Sequence, residues 1–149
     1  MRTAVRVWRV DERYVVSLAG RRLQVVPLNL ACCGLELAFG LRALSALAAA
    51  GDSATDDAAI DLHVLAVAGT VTPGFMPQIR AAWQGLPAPK VVIGFGVCTL
   101  SGGPYWDSYA VVPGLPAELS PIVRVPGCPP HPDSLREALE VALGGVPVA

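Results

Sequence analysis

The chain has 149 residues, of which 53% are hydrophobic and only 15% are charged, with a formal net charge of −1. This length and apolar content favour a single domain with a sizeable core. The low charge content predicts an apolar surface that a partner covers, so we expect the isolated chain to be unstable. The sequence has no basic block and no interleaving of basic with aromatic residues, which argues against nucleic-acid binding.

The amino-terminal half of the sequence predicts neither export nor a membrane span. Residues 1–7 lack the continuous apolar stretch of a secretory signal. The longest apolar stretch, residues 28–50, contains Glu36 and Arg42, and a span of about 20 residues should be almost free of charge. We therefore expect the reducing cytoplasm, where cysteines remain thiols.

The first part of the chain alternates apolar and polar residues, which is typical of short β-strands. The predicted segments are strands over residues 5–10, 14–18 and 23–28, with a turn over 19–22. We take residues 1–22 as an N-terminal β extension and residues 23–149 as a separate domain.

From residue 34 onward, segments with helical spacing alternate with short apolar runs typical of buried strands. The predicted elements are a helix over 34–50, a polar loop over 51–59, a strand over 62–68, a helix over 73–84 capped by Thr72, a strand over 90–95, a long loop over 99–121, a strand over 122–125 and a helix opening at 132–134. Strands alternating with helices predict an α/β fold, with a parallel sheet flanked by helices.

Each cysteine site follows one of the predicted strands. Cys32 and Cys33 follow the strand over 23–28, and Cys98 and Cys128 follow the strands that end at residues 95 and 125. Sites in parallel sheets lie just past the carboxyl ends of the strands, so we expect these sulfurs at one edge. Four thiolates that converge in a soluble protein most often hold a metal or an iron–sulfur cluster.

Other interpretations of these residues stay open at this point. A single cysteine is more often a packing residue than a ligand. Zinc is the main competitor, although the Cys-x₂₋₄-Cys pairs of structural zinc sites are absent from the sequence. His131 follows Cys128 closely and could join a zinc site, but a histidine in a Pro-rich loop is more often a surface residue. Glu36 could tune a cluster or relay a proton, or it could be a helix-start carboxylate.

The segments around the cysteines resemble a known family. They are Ala31–Glu36, Ala68–Thr72, Leu86–Lys90, Gly96–Gly103, Tyr109–Val112 and Val125–Pro130. Together they are similar to the small, 20 kDa-type iron–sulfur subunit of NADH:quinone oxidoreductase, respiratory complex I. That family is related to the small subunit of nickel–iron hydrogenases. The resemblance covers about residues 25–143.

This resemblance implies a flavodoxin-like fold and one [4Fe-4S] cluster held by Cys32, Cys33, Cys98 and Cys128. Residues 23–149 would then form an iron–sulfur-binding α/β domain. It implies an electron-transfer subunit with no catalytic residue of its own. The implied partners are the large catalytic (49 kDa-type) subunit, other iron–sulfur subunits and a quinone at the shared interface. The implied location is peripheral, on the cytoplasmic side of the cell membrane, through partner subunits.

Two further interpretations follow from the same residues. Hydrogenase relatives generally space their first two cysteines as Cys-x-x-Cys, so the adjacent pair here favours the complex I branch over a membrane-bound hydrogenase-type complex. Residues 43–60 lack the basic and aromatic segment usual in the family, and Pro73, Gly74 and Phe75 replace its usual residues after Thr72. These departures favour a specialised complex, and a divergent structural subunit without a cluster is the third alternative.

Overall fold

The structure is a computed structural model that describes residues 13–51 and 59–145. The predicted strand over residues 5–10 lies outside the described residues, as does most of the predicted polar loop over 51–59. No helix within the described parts of the chain combines the length and the apolar character that crossing a membrane requires.

After two consecutive strands, helices and strands alternate along the described chain, as the sequence predicts. The strands are β1 (Tyr14–Leu18), β2 (Arg21–Asn29), β3 (Leu62–Ala68), β4 (Lys90–Phe95) and β5 (Ile122–Val125). The helices are α1 (Ala31–Gly51), α2 (Met76–Gly85), α3 (Val97–Ser101) and α4 (Ser134–Gly145), and a 3₁₀ turn covers Gly103–Tyr105.

The strands form one five-stranded sheet in the order β1-β2-β3-β4-β5. Strand β1 pairs antiparallel with β2, and the other pairs are parallel. The predicted α/β class is confirmed: the sheet is mostly parallel and flanked by helices, consistent with a flavodoxin-like fold. Because β2 to β5 run in one direction, the segments that follow them emerge at the same edge of the sheet.

Both faces of the sheet are covered, which explains why its central strands are almost entirely apolar. Helices α1 and α4 cover one face through residues such as Leu37 and Leu139. Helix α2 covers the other face through Met76 and Ile79. A hydrophobic core on each face of the sheet therefore fixes the strands whose carboxyl ends form this edge.

Two predicted helix boundaries are wrong. Helix α1 begins at Ala31 rather than Gly34, because the Gly34 N–H already donates to the Leu30 carbonyl (3.1 Å). Helix α2 begins at Met76 rather than Pro73, and Thr72 does not cap it with its side chain. Instead, the carbonyl of Thr72 accepts the N–H groups of Phe75 and Met76, which closes a turn before the helix.

The predicted loop over 99–121 is partly helical at its start. Helix α3 continues to Ser101, and the 3₁₀ turn follows it. The predicted turn over 19–22 is also shorter, because β2 already begins at Arg21. These differences matter for the site, because they place three of the four cysteines in helices rather than in open loops.

Candidate functional site

Cys32 and Cys33 lie in the first turn of α1, directly after β2. The Leu30 N–H donates to the carbonyl of Ala68 at the end of β3 (2.8 Å), so the start of α1 is tied to the next strand. Cys33 points into the core and is 1% exposed, whereas Cys32 is exposed. The tandem pair therefore presents one sulfur to the protein interior and one to the surface.

Cys98 lies in the short helix α3, directly after β4. Gly96 precedes this helix with φ +105°, and Gly102 ends it with φ +86°, both in the region that favours glycine. Cys98 is 4% exposed. A Cβ atom on Gly103 would lie 3.0 Å from its sulfur, so glycine at that position leaves room for the sulfur.

Cys128 lies in the loop after β5 and is exposed. Two backbone hydrogen bonds join this loop to the turn that carries Cys98. The Gly96 N–H donates to the Val125 carbonyl (2.8 Å), and the Val97 N–H donates to the Gly127 carbonyl (3.0 Å). The two loops therefore form one unit at the carboxyl edge of the sheet.

The structure brings the four predicted cysteines to the same place. A Cβ atom on Gly96 would lie 2.5 Å from the Cys33 sulfur, so Cys33 rests directly on the Cys98 turn. The pKa of Cys33 is raised to about 12, first by burial and then by the neighbouring sulfurs of Cys32, Cys98 and Cys128. All four cysteines are free thiols.

Within residues 13–51 and 59–145, no three His, Cys, Asp or Glu side chains are grouped closely enough to hold a single ion. Thiolates around one zinc ion all lie about 2.3 Å from it. Thiolates around an iron–sulfur cluster bind different iron atoms and therefore stand farther apart. The described side chains do not form a closed zinc site.

The chemistry of the four thiols fits an iron–sulfur cluster. Burial and neighbouring sulfurs disfavour the Cys33 thiolate when no cation is near. A cluster would supply positively charged iron, which displaces thiol protons on binding. The residues that would hold it are Cys32, Cys33, Cys98 and Cys128.

Glu36 and His131, the two other candidate residues near the cysteines, differ in exposure. Glu36 is half-buried, one turn after Cys32 in α1. His131 is exposed, and its Nδ1 lies 3.4 Å from the Asp133 Oδ2 atom and accepts the Asp133 N–H. The contacts of His131 are thus with its own loop, which matches a surface residue better than a ligand.

Large apolar side chains are exposed beside the cysteines. Leu35 and Phe39, on successive turns of α1 after Cys32, are 75% and 67% exposed. Tyr105, Trp106 and Tyr109 are exposed in the segment after Cys98. Such a concentration of apolar surface is typical of an interaction site. The chain is thus an α/β protein that gathers four thiols at the carboxyl edge of its sheet, beside an exposed apolar surface.

Comparison with known proteins identifies the family. The family model described as "NADH ubiquinone oxidoreductase, 20 Kd subunit" matches residues 24–142. The chain belongs to this family of oxidoreductase subunits. The family predicted from the cysteine segments is therefore confirmed.

The similar proteins carry consistent names. The NADH-quinone oxidoreductase B-type subunit 2 of Streptomyces griseus subsp. griseus is 37% identical over 127 residues, which cover 84% of this chain and 54% of that protein. The B-type subunit 1 of Salinispora tropica is 35% identical over 146 residues, which cover 90% of this chain and 77% of that protein. The chain thus spans about half the length of several curated relatives that it matches.

Among solved structures, a chain of the membrane-bound sulfane sulfur reductase, an archaeal respiratory membrane complex, aligns with a TM-score of 0.47 and 28% identity. The alignment covers 54% of this chain and 46% of that chain.

Proposed function

We propose that this chain is the electron-transfer subunit of a respiratory NADH:quinone oxidoreductase-like complex and holds one [4Fe-4S] cluster through Cys32, Cys33, Cys98 and Cys128. The main support is the contact of the Cys33 sulfur with Gly96, which brings the tandem cysteines onto the turn that carries Cys98. Membership in the 20 kDa subunit family supports the same assignment.

A bound [4Fe-4S] cluster would supply one-electron transfer. The residues of this chain would bind it and set its surroundings. Cys33 and Cys98 are buried and would hold the side that faces the protein interior. Cys32 and Cys128 are exposed and would hold the side that faces outward. Electrons would therefore enter or leave through the outward side, where a partner excludes water.

The proposed partners are the large catalytic (49 kDa-type) subunit, other iron–sulfur subunits and a quinone held at the shared interface. The exposed residues Leu35 and Phe39 support a protein partner that covers the edge beside Cys32. We propose a peripheral location on the cytoplasmic side of the membrane, through these partner subunits. Glu36 is half-buried, one turn after Cys32 in α1.

Anaerobic isolation of the complex tests this proposal. Because other iron–sulfur subunits contribute iron of their own, the wild-type complex should contain about four iron and four acid-labile sulfide more per copy of this chain than the Cys98→Ala complex. Reduction should give a paramagnetic resonance signal from this additional cluster. Cys98→Ala should remove that signal, whereas Ser101→Ala, at an exposed position in the same helix, should retain it. A colourless chain without iron in the intact complex would overturn the proposal and favour a structural subunit.

The electron acceptor needs a separate measurement. Reduction of a soluble quinone analogue by the intact complex, lost in Cys98→Ala and retained in Ser101→Ala, is expected. Hydrogen evolution without quinone reduction would instead favour a hydrogenase-type complex. This second outcome would leave the cluster assignment intact but overturn the quinone assignment.

A further inference from the structure

Thr99, the residue after Cys98, is the one buried polar residue in the described parts of the chain, at 1% exposure. Its hydroxyl donates a hydrogen bond to the Gly96 carbonyl (2.7 Å). Its backbone N–H donates to the same carbonyl (3.1 Å). Two donors from one residue therefore fix the orientation of a single peptide group in the turn between β4 and α3.

The peptide group that Thr99 fixes belongs to the residue against which Cys33 packs. A Cβ atom on Gly96 would lie 2.5 Å from the Cys33 sulfur. The N–H of the same peptide group belongs to Val97 and donates to the Gly127 carbonyl, directly before Cys128 (3.0 Å). A rotation of this peptide would move the surface under Cys33 and loosen the connection to the Cys128 loop.

The Thr99 side chain is itself held in place from other directions. Its Oγ1 atom lies 2.9 Å from the position that a Cβ atom on Gly94 would occupy, so glycine at 94 leaves room for the hydroxyl. The carbonyl of Thr99 accepts the Leu115 N–H (2.8 Å), which anchors the segment after α3. The side chain therefore has little freedom to hydrogen-bond elsewhere.

We infer, resting on the proposed function, that Thr99 is a positioning residue for the cluster. Its hydroxyl holds the Gly96 carbonyl and thereby sets the separation between the sulfurs of Cys33 and Cys98. Groups that orient ligands in this way tune the affinity and the electronic properties of a metal centre. The spectrum and reduction potential of the cluster should therefore depend on this hydroxyl.

The test compares Thr99→Val, which removes the hydroxyl at similar volume, with Thr99→Ser, which keeps it. Ile79→Val serves as the control, because Ile79 is equally buried but lies in helix α2 rather than in the turn between β4 and α3. In the intact complex, Thr99→Val is expected to shift the resonance g-values and the reduction potential. It should also release iron to a chelator roughly three- to tenfold faster, as loss of one buried hydrogen bond predicts.

Thr99→Ser should match the wild type in all three measurements, and Ile79→Val should lower the melting temperature without shifting the spectrum. An unchanged spectrum, potential and release rate in Thr99→Val would overturn the positioning role, as would the same changes in Ile79→Val. If Thr99→Val does not fold, Thr99→Ala replaces it under the same criteria. A wild-type complex without a cluster signal would overturn the proposed function itself, which separates the two failures.

Discussion

The sulfur of Cys33 occupies the space in which a side chain at Gly96 would begin, since a Cβ atom there would lie 2.5 Å from it. This contact joins the carboxyl end of β2 to that of β4. Glycine is required at position 96 for a second reason, because its φ of +105° is a conformation that other residues rarely adopt.

Gly96→Ala is expected to displace Cys33 and to prevent binding of the cluster. The backbone strain alone should lower the free energy of unfolding by about 1–3 kcal/mol, and the contact with the sulfur adds to it. Iron content after anaerobic isolation measures the loss of cluster binding. Chemical denaturation of the cluster-free protein measures the loss of stability. Gly85→Ala is the matched control, because a Cβ atom there meets nothing within 4 Å. Full iron content in Gly96→Ala would contradict the close contact between the Cys33 sulfur and Gly96.

The exposure of the four thiols predicts the order in which the cluster-free protein reacts with an alkylating reagent. Cys32 and Cys128 are exposed and should react first, whereas Cys33 and Cys98 are buried and should react slowly. The raised pKa of Cys33 also keeps it in the less reactive thiol form. Peptide mass mapping after brief labelling checks this order. Rapid labelling of Cys33 under native conditions would show that α1 is not docked as described.

Stability of the cluster-free protein is expected to fall between about pH 9 and pH 12 because of Cys33. Folding raises the pKa of this thiol to about 12, so in this window the folded state keeps a proton that the unfolded state has lost. The free energy of unfolding therefore decreases as the pH rises, and below this window the contribution of Cys33 is fully present.

Thermal unfolding of the wild type and of Cys33→Ala across this pH range measures the effect. The two proteins differ only at position 33, so the difference between the two curves isolates Cys33. The wild type should lose stability more steeply. Parallel curves would mean that Cys33 ionises as freely in the folded protein as in the unfolded one.

The sheet could be predicted from the sequence because its central strands are short apolar runs bounded by Gly and Pro. Strands β3 and β4 have the predicted bounds, residues 62–68 and 90–95. Helix starts are harder to predict, because the bonds that set them are made by backbone groups. The Leu30 carbonyl accepts the first hydrogen bond of α1, and the Thr72 carbonyl accepts those of a turn that precedes α2. No side chain signals either start.

The cysteines of the candidate site could be predicted because each follows a strand of one parallel sheet. The distances between their sulfur atoms could not be predicted, because they depend on the turn at Gly96 and on the hydrogen bonds that hold this turn. Thr99 could not be predicted for the same reason. Its signal in the sequence is weak: a single hydroxyl between Cys98 and Leu100, which alone does not distinguish a buried side chain from an exposed one. The cofactor-binding role of the four cysteines stays a prediction.

The outward face of α1 is expected to make the isolated chain self-associate. Leu35 and Phe39 are 75% and 67% exposed and lie one turn apart, so together they form an apolar stripe beside Cys32. Replacing both with glutamine removes apolar surface without disturbing the core, because neither side chain is buried. The double variant should therefore remain monomeric at concentrations at which the wild type forms larger species, as size-exclusion chromatography can show.

In the intact complex the same double variant should bind its partner more weakly while keeping its iron. Gln78→Ala and Gln84→Ala, at exposed positions on α2, are the controls that should change neither property. Equal self-association of the wild type and the double variant would mean that the partner covers another part of the surface.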